Sequence, residues 1–184
     1  MASMIEKGDK FPSFKFTNRV AGDFVNVDLN KEIAGKKVIL FGLPGAFTPT
    51  CSSKQLPGYE SLFPKFQELG IDHIYCTSVN DPFVMNAWFD NQKVENVRSL
   101  PDGNADLCQA LGMGCQKRNL NFGLRSWRYA LLINDGRVLE VFAEPNQRDD
   151  ADDDSYVASK PESCLLYTSP SPRDRTRSRM PSSA

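Results

Sequence analysis

The residues with the clearest chemical potential are Cys51 and the run before it, Phe47-Thr48-Pro49-Thr50. An apolar run at 38–43 and a Pro44-Gly45 turn precede this cysteine, and apolar residues at helical spacing follow it. A thiol at the start of a helix lies near unpaired backbone N–H groups and the positive end of the helix dipole, which stabilise a thiolate. Cys51 is therefore a candidate nucleophile.

A free cysteine is most often a small buried hydrophobe, so its position alone does not make Cys51 reactive. Here no large aliphatic residue flanks the sulfur, and Thr48 brings a hydroxyl to the same turn. In a CxxC reductase the residue three before the second cysteine is itself a cysteine, whereas here it is threonine. Cys51 therefore lacks a local thiol partner, and a dithiol–disulfide oxidoreductase is disfavoured.

Three segments, in order along the chain, carry a family resemblance. They read PGAFTPTC at 44–51, SVNDPFVMNAW at 78–88 and RSWRYALLINDG at 125–136. The first resembles the active-site signature of the peroxiredoxins, and the other two are similar to further landmarks of their type II or type 5 (atypical) group. Peroxiredoxins of this group are AhpC/TSA-like proteins of thioredoxin fold.

This resemblance implies a thiol-dependent peroxidase for hydrogen peroxide and alkyl hydroperoxides. Cys51 would attack the terminal peroxide oxygen and become a sulfenic acid. Thr48 and Arg128 match catalytic residues of the family, and Pro44 matches a residue that shields the pocket. A guanidinium suits this chemistry because it stays charged and stabilises negative charge as it moves from sulfur to oxygen.

Arg125 is the main alternative to Arg128 as the catalytic arginine. We expect a single strand over 125–133, in which residues three positions apart face opposite sides. The pattern does not show which side faces Cys51, so only the resemblance favours Arg128.

Recycling of the oxidised sulfur leaves several alternatives open. Cys76 is a possible resolving cysteine, although its neighbours indicate a buried strand. Cys108 and Cys115 are interpreted as structural or incidental. The resemblance implies glutathione with glutaredoxin, or thioredoxin, as reductant, and a homodimer formed through the face that carries the active-site turn. A redox relay or holdase chaperone, in which Cys51 is oxidised without peroxidase turnover, is the alternative function.

Composition narrows the class of protein. A chain of 184 residues, 40% hydrophobic and 24% charged, fits one domain with a core. A net charge of -1 gives no electrostatic footprint for nucleic acid. The sequence has no run of eighteen apolar residues, and its start lacks the apolar stretch of a secretion signal, so we expect neither a membrane span nor a leader. Five cysteines without a CxxC pair, and one histidine, predict neither a disulfide framework nor a metal site. We expect a cytoplasmic protein without a cofactor, and an organelle stays open as the alternative location.

The elements that must position the candidate residues alternate between strand and helix. The apolar run Val38 to Leu43 predicts a central strand buried on both faces. Helical spacing runs from Leu56 to Leu69, and Pro57 and Pro64 indicate a kink or a break. The other predicted elements are a hairpin turning at Ala21-Gly22, a strand at 71–78, a helix capped by Asp81, a strand at 97–100, a helix at 104–111 and a hairpin turning at 134–136. This order predicts a single α/β domain with a mixed sheet flanked by helices, and the resemblance implies the thioredoxin-like fold.

Two polar segments complete the chain. The acidic run at 149–154 lacks the glycine and glutamate of a calcium loop and predicts a solvated loop. From Cys164 the composition becomes rich in Ser, Pro and Arg, so we predict a domain over 4–163 and a disordered, non-native tail over 164–184. The peptide CLLYTS is encoded by TGTCTCTTATACACATCT, which resembles a transposase adapter of sequencing libraries. A resolving role for Cys164 stays open.

Overall fold

Strands and helices alternate along residues 2–168, the part of the chain that the computed structural model describes. The strands are β1 (Lys15–Val20), β2 (Asp23–Asp28), β3 (Lys37–Gly42), β4 (His73–Ser78), β5 (Arg98–Pro101), β6 (Gly114–Lys117), β7 (Gly123–Ser126), β8 (Tyr129–Asn134) and β9 (Arg137–Ala143). The helices are α1 (Leu29–Ile33), α2 (Leu56–Glu68), α3 (Pro82–Asn91), α4 (Asp106–Ala110) and α5 (Pro161–Thr168). A π-helical segment covers Cys51–Gln55, and a 3₁₀ turn covers Arg118–Leu120.

A five-stranded mixed sheet, in the order β5-β4-β3-β8-β9, forms the centre of the fold. Strand β3 runs parallel to β4 and antiparallel to β8, and β5 and β9 extend the sheet on either side. The hairpins β1-β2 and β6-β7 form separate two-stranded sheets. The predicted central strand is therefore confirmed at β3.

Both faces of the sheet are covered. Val38 and Leu40 of β3 belong to a core cluster that includes residues of α1 and α4, whereas Ile39 and Phe41 belong to a cluster that includes residues of α2 and α3. Successive residues of a strand point to opposite faces, so a continuous apolar run is what a strand covered on both sides requires. The mixed sheet flanked by helices is thus confirmed.

Local signals at turns and caps are also confirmed. The Asp81 carboxylate accepts a hydrogen bond from the Val84 N–H, with Pro82 at the first helical position of α3. Asp135 and Gly136 have positive φ angles in the turn between β8 and β9, as a tight hairpin requires.

The helix that carries Cys51 continues through both prolines, so the alternative of a break is wrong. Pro57 has no N–H to donate, and its ring clashes with the carbonyl four residues before it in ordinary α geometry. Just ahead of it the helix widens, because the Leu56 N–H donates to the Cys51 carbonyl five residues back. Helix α2 then runs on with Pro64 inside it. Such π-helical segments occur frequently at functional sites.

The single strand predicted over 125–133 is also wrong. Strand β7 pairs with β6 and ends at Ser126, and β8 begins at Tyr129 in the central sheet. Between them the chain crosses from one sheet to the other at Trp127 and Arg128. The two-residue period of a strand therefore does not relate the side chains of Arg125 and Arg128.

The first residues of the predicted tail are helical rather than disordered. Helix α5 runs from Pro161 to Thr168, and Cys164 within it is fully buried. Its Sγ lies 3.4 Å from the Tyr59 hydroxyl of α2, so burial against α2 orders this stretch. Residues 169–184 of the predicted tail lie outside the described part of the chain, and the non-native origin of the tail stays a prediction.

Candidate active site

Cys51 lies in the first turn of the widened helix. Helical backbone begins at Pro49, and the Ser52 N–H donates to the Thr48 carbonyl at 3.0 Å. The cysteine side chain is fully buried and belongs to the core cluster on the α2 side of the sheet. The structure therefore places the thiol at the strand-to-helix turn that its sequence context indicates.

Arg128 contacts the sulfur directly. Its Nη1 donates to Cys51 Sγ at 3.3 Å and to Gln55 Oε1 at 2.5 Å, and its side chain is only 4% exposed. Burial lowers the pKa of Arg128, but the negative charges of Cys51 and Asp154 outweigh it and raise this pKa overall. Of the two candidate arginines, Arg128 is the one that touches the sulfur.

Arg125 supports the turn instead. Its Nη1 donates to the Pro44 carbonyl at 3.0 Å, and its Nε donates to the Phe122 carbonyl at 3.2 Å. A Cβ atom at Gly45 would lie 2.5 Å from that Nη1, so the glycine is what allows the guanidinium to approach. Burial lowers the pKa of Arg125, and the negative charge of Cys51 opposes this. Arg125 is thus half-buried beside the site rather than a free surface charge.

Pro44 and Thr48 line the same turn. Pro44 is buried, and the Thr48 hydroxyl donates to the Gly45 carbonyl at 2.6 Å. That bond uses the only hydroxyl hydrogen of Thr48, so the oxygen is left with acceptor capacity. Phe47 lies between them in the sequence; its side chain is 53% exposed, and its backbone has a left-handed φ angle of +63°.

The second landmark segment holds the turn from the other side. Asn80 Oδ1 accepts a hydrogen bond from the Ala46 N–H at 3.0 Å and another from the Ser78 hydroxyl. The Trp88 Nε1 donates to the Ser52 hydroxyl at 2.9 Å. The three segments singled out in the sequence therefore meet at one site.

Two residues that contact Arg128 were missed by sequence reasoning. Gln55 is fully buried and lies four residues after Cys51. Residues at this spacing lie on one side of a helix, so the spacing was a sequence signal that could have identified Gln55. Asp154 is 52% exposed, as a solvated loop predicts, but its Oδ1 also lies 2.5 Å from Arg128 Nη2, a contact that the sequence pattern does not predict. Burial raises the pKa of Asp154, but hydrogen bonding from Thr50 and the charge of Arg128 lower it overall.

Glu144 is a buried carboxylate behind the site that was not predicted from the sequence. Glu144 Oε2 accepts from the Ser159 N–H and hydroxyl, and its Oε1 accepts from the N–H groups of Val157 and Ala158. Burial raises the pKa of Glu144, but these hydrogen bonds lower it overall. Glu144 thereby fixes the segment that follows Asp154.

The other thiols are buried in surroundings that disfavour the thiolate. Burial raises the pKa of Cys76 well above its ordinary value, with a contribution from the negative charge of Cys51. Burial likewise raises the pKa of Cys108 and of Cys164 to about 12, and that of Cys115 to about 11. All five cysteines are free in the structure. Burial thus gives no support to a resolving role for Cys76 or Cys164.

Two kinds of feature are absent from the described part of the chain. Residues 2–168 hold no group of three or more His, Cys, Asp or Glu side chains arranged for a metal ion. No helix within the same range combines the length and the apolar character needed to cross a bilayer.

Comparison with known proteins identifies the family. The Redoxin family model matches residues 6–159. Peroxiredoxin sll1621 of Synechocystis sp. is 44% identical over 168 residues, which cover 86% of this chain and 89% of that protein. The Plasmodium falciparum antioxidant protein, a 1-Cys peroxiredoxin, is similar in structure with a TM-score of 0.85 and 30% identity, over 89% of this chain and 98% of that one.

Reduced Prx3 of Vibrio vulnificus, solved in complex with hydrogen peroxide, is also similar, with a TM-score of 0.82 and 37% identity. The similarity covers 90% of this chain and 99% of that one. The thioredoxin-like fold implied by the sequence motifs is confirmed by these likenesses. The chain therefore belongs to the peroxiredoxins, the thiol-dependent peroxidases of thioredoxin fold.

Proposed function

We propose that this peroxiredoxin reduces hydrogen peroxide and small alkyl hydroperoxides at Cys51, through a cysteine sulfenic acid. The observation that carries the proposal is the 3.3 Å contact between Arg128 Nη1 and Cys51 Sγ within a buried site. A buried thiolate needs a compensating charge, and a guanidinium supplies one at every physiological pH.

The chemical step begins with attack of the Cys51 thiolate on the terminal peroxide oxygen. An S–O bond forms as the O–O bond breaks, and sulfur is oxidised by two electrons while the peroxide is reduced by two. The leaving oxygen takes up a proton and departs as water or an alcohol. Arg128 assists because its N–H groups stabilise negative charge as it moves from sulfur to the leaving oxygen.

Thr48 and Pro44 have separate roles in this proposal: Thr48 aligns the peroxide, and Pro44 limits the access of water. Because the Thr48 hydroxyl already donates to the Gly45 carbonyl, its oxygen accepts a hydrogen bond from the peroxide O–H and aligns the O–O bond with the sulfur. Pro44 is buried next to this turn and limits the entry of water.

The sulfenic acid is then reduced by an external thiol, either glutathione with glutaredoxin or thioredoxin. A first thiol forms a mixed disulfide with Cys51 and releases water, and a second thiol releases Cys51 as its thiolate. The raised pKa of the Cys76 thiol and of the Cys164 thiol supports such a one-cysteine cycle. So does the similarity to the Plasmodium protein described as a 1-Cys peroxiredoxin.

The assembly proposed is a homodimer formed through the face that carries the active-site turn. The exposed ring of Phe47 in that turn supports it, because a large apolar side chain gains by burial in an interface. Sedimentation velocity of the wild-type protein and of Phe47→Ser tests the proposal. A wild-type monomer would contradict it.

Stopped-flow consumption of peroxide with excess reductant tests the proposed reaction. Wild type should turn over many equivalents of peroxide, Cys51→Ser should turn over none, and Cys115→Ser, which removes a buried thiol elsewhere, should behave as wild type. A reagent that traps sulfenic acids should label Cys51, and intact-mass analysis should detect the added mass in wild type and not in Cys51→Ser. Consumption of a single equivalent with every thiol donor would instead indicate a redox relay or holdase without turnover.

A further inference from the structure

The last residue of the acidic run forms its ion pair with a buried side chain. Asp154 Oδ1 lies 2.5 Å from Arg128 Nη2. The Asp154 side chain is 52% exposed, whereas that of Arg128 is 4% exposed. This ion pair therefore joins a solvent-facing carboxylate to the buried arginine that contacts Cys51.

The contacts of the guanidinium are divided between its two terminal nitrogens. Nη1 donates to Cys51 Sγ and Gln55 Oε1, and Nη2 donates to Asp154. The third nitrogen, Nε, is buried without a hydrogen-bond partner within residues 2–168. Because the guanidinium is planar and rigid, a partner that fixes Nη2 also sets the direction in which the Nη1 hydrogens point.

We propose that Asp154 is a positioning residue for peroxide reduction, which holds the Arg128 guanidinium in the orientation that directs Nη1 to the Cys51 sulfur. The inference rests on the proposed function, since it concerns the rate of that reaction. Asp154 touches neither sulfur nor peroxide in this scheme and acts through Arg128.

Asp154 is itself held in place by a buried anchor. Glu144 accepts hydrogen bonds from backbone N–H groups of residues 157–159, just after Asp154. The Glu144 N–H also donates to the Arg128 carbonyl at 3.1 Å. One residue thus fixes the backbone on both sides of the ion pair. In addition, the Tyr156 ring centroid lies 5.8 Å from Arg128 Cζ.

The neighbouring aspartate provides a matched control. Asp153 is 50% exposed, close to the exposure of Asp154, and it lies on the same loop. Its partner is Arg148, at 2.6 Å, which is 45% exposed on the surface. Asp153→Asn therefore removes the same charge and a similar ion pair without touching Arg128.

The test is the second-order rate constant for a single turnover with hydrogen peroxide. Tryptophan fluorescence can follow it, because Trp88 donates to Ser52 and Trp127 precedes Arg128. Asp154→Asn should lower the rate about tenfold or more, since small misplacements of a catalytic group are costly, and Asp153→Asn should stay within about twofold of wild type. Asp154→Glu, which restores the charge, should regain part of the rate.

A double-mutant cycle separates positioning from a general structural role. In an Arg128→Met background, Asp154→Asn should lower the rate no further, because the residue through which it acts is gone. The inference is overturned if Asp154→Asn reacts as fast as Asp153→Asn, or if it causes the same proportional loss in both backgrounds. Circular dichroism checks folding, and Asp154→Ser takes the place of an asparagine variant that does not fold.

The two levels of the proposal fail in different ways. A wild-type protein that consumes no peroxide overturns the proposed function. An active wild type together with an unaffected Asp154→Asn variant overturns the positioning role alone.

Discussion

Arg128 Nη1 donates to Cys51 Sγ at 3.3 Å, although 77 positions separate the two residues in sequence. The sheet register explains the contact, because Gly42 at the end of β3 pairs with Tyr129 at the start of β8. Arg128 directly precedes β8, so it lies next to the point where the chain leaves β3 for the Cys51 turn. The pairing of two antiparallel strands thus brings the guanidinium to the thiol.

Gln55 is predicted to orient Arg128 from the side of the helix. Gln55→Leu removes the acceptor of the second Nη1 hydrogen bond at similar volume, so the rate with hydrogen peroxide should fall about tenfold. Single-turnover stopped-flow kinetics measure it. The control is Ser53→Ala, an exposed neighbour whose hydroxyl donates to the Pro49 carbonyl at 2.8 Å. Equal rates for the two variants would show that Gln55 does not orient Arg128 for the reaction.

Gly45 is predicted to be required for the approach of Arg125. A Cβ there would displace the guanidinium that holds the Pro44 carbonyl, so Gly45→Ala should reduce the peroxide rate about tenfold and stability by about 1 kcal/mol. At Gly103 a Cβ would meet Asp81 Cα at an ordinary 3.5 Å. Gly103→Ala should therefore leave the rate unchanged, and an active Gly45→Ala would show that the turn does not depend on Arg125.

Asp102 is predicted to make stability depend on pH. Its oxygens accept hydrogen bonds from the Leu107 and Cys108 N–H groups, but burial raises its pKa to about 6. The carboxyl of an aspartate in an unfolded chain has a pKa of about 3.9. Between that pH and about pH 6 the folded state therefore binds more protons than the unfolded state. The contribution of Asp102 to stability is thus full below about pH 4 and is lost as pH rises through about 6.

Urea unfolding of wild type and Asp102→Asn at several pH values measures this contribution. The stability of wild type relative to the variant should fall by on the order of 1–3 kcal/mol between about pH 4 and about pH 7. A difference that does not change with pH would show that Asp102 titrates normally in the folded protein.

Cys76 is predicted to take no part in turnover. Its side chain is fully buried, and burial raises the pKa of its thiol. Cys76→Ala should therefore keep steady-state turnover with an external thiol within about twofold of wild type, as should the buried control Cys115→Ala. Loss of turnover in Cys76→Ala alone, with a Cys51–Cys76 disulfide in oxidised wild type, would establish a two-cysteine cycle.

Much of the fold could be predicted because its signals are local. The β3 strand followed from a continuous apolar run, and the start of α3 followed from the Asp81-Pro82 pair. The position of Cys51 at the helix start came from the same kind of signal, since strand, turn and helix are adjacent in sequence. The widening of the helix ahead of Pro57 could not be predicted from the proline alone, because a kink, a break and a π-helical segment each accommodate a proline.

The parts that escaped prediction depend on contacts between distant segments. Arg125 and Arg128 read as one strand because nothing local marks the crossing between two sheets at Trp127. Asp154 looks like its acidic neighbours until its distance from Arg128 is known. Glu144 is an isolated glutamate at the end of β9, and only the fold shows that backbone N–H groups converge on it.

The central claim is that the Arg128 guanidinium makes the Cys51 thiol reactive toward peroxide. The most direct measurement is the second-order rate constant with hydrogen peroxide for wild type, Arg128→Met and the exposed-surface control Arg148→Met. We expect Arg128→Met to lose about a hundredfold or more in this rate constant while keeping its fold, and Arg148→Met to react as fast as wild type. Equal rate constants for wild type and a folded Arg128→Met variant would contradict it.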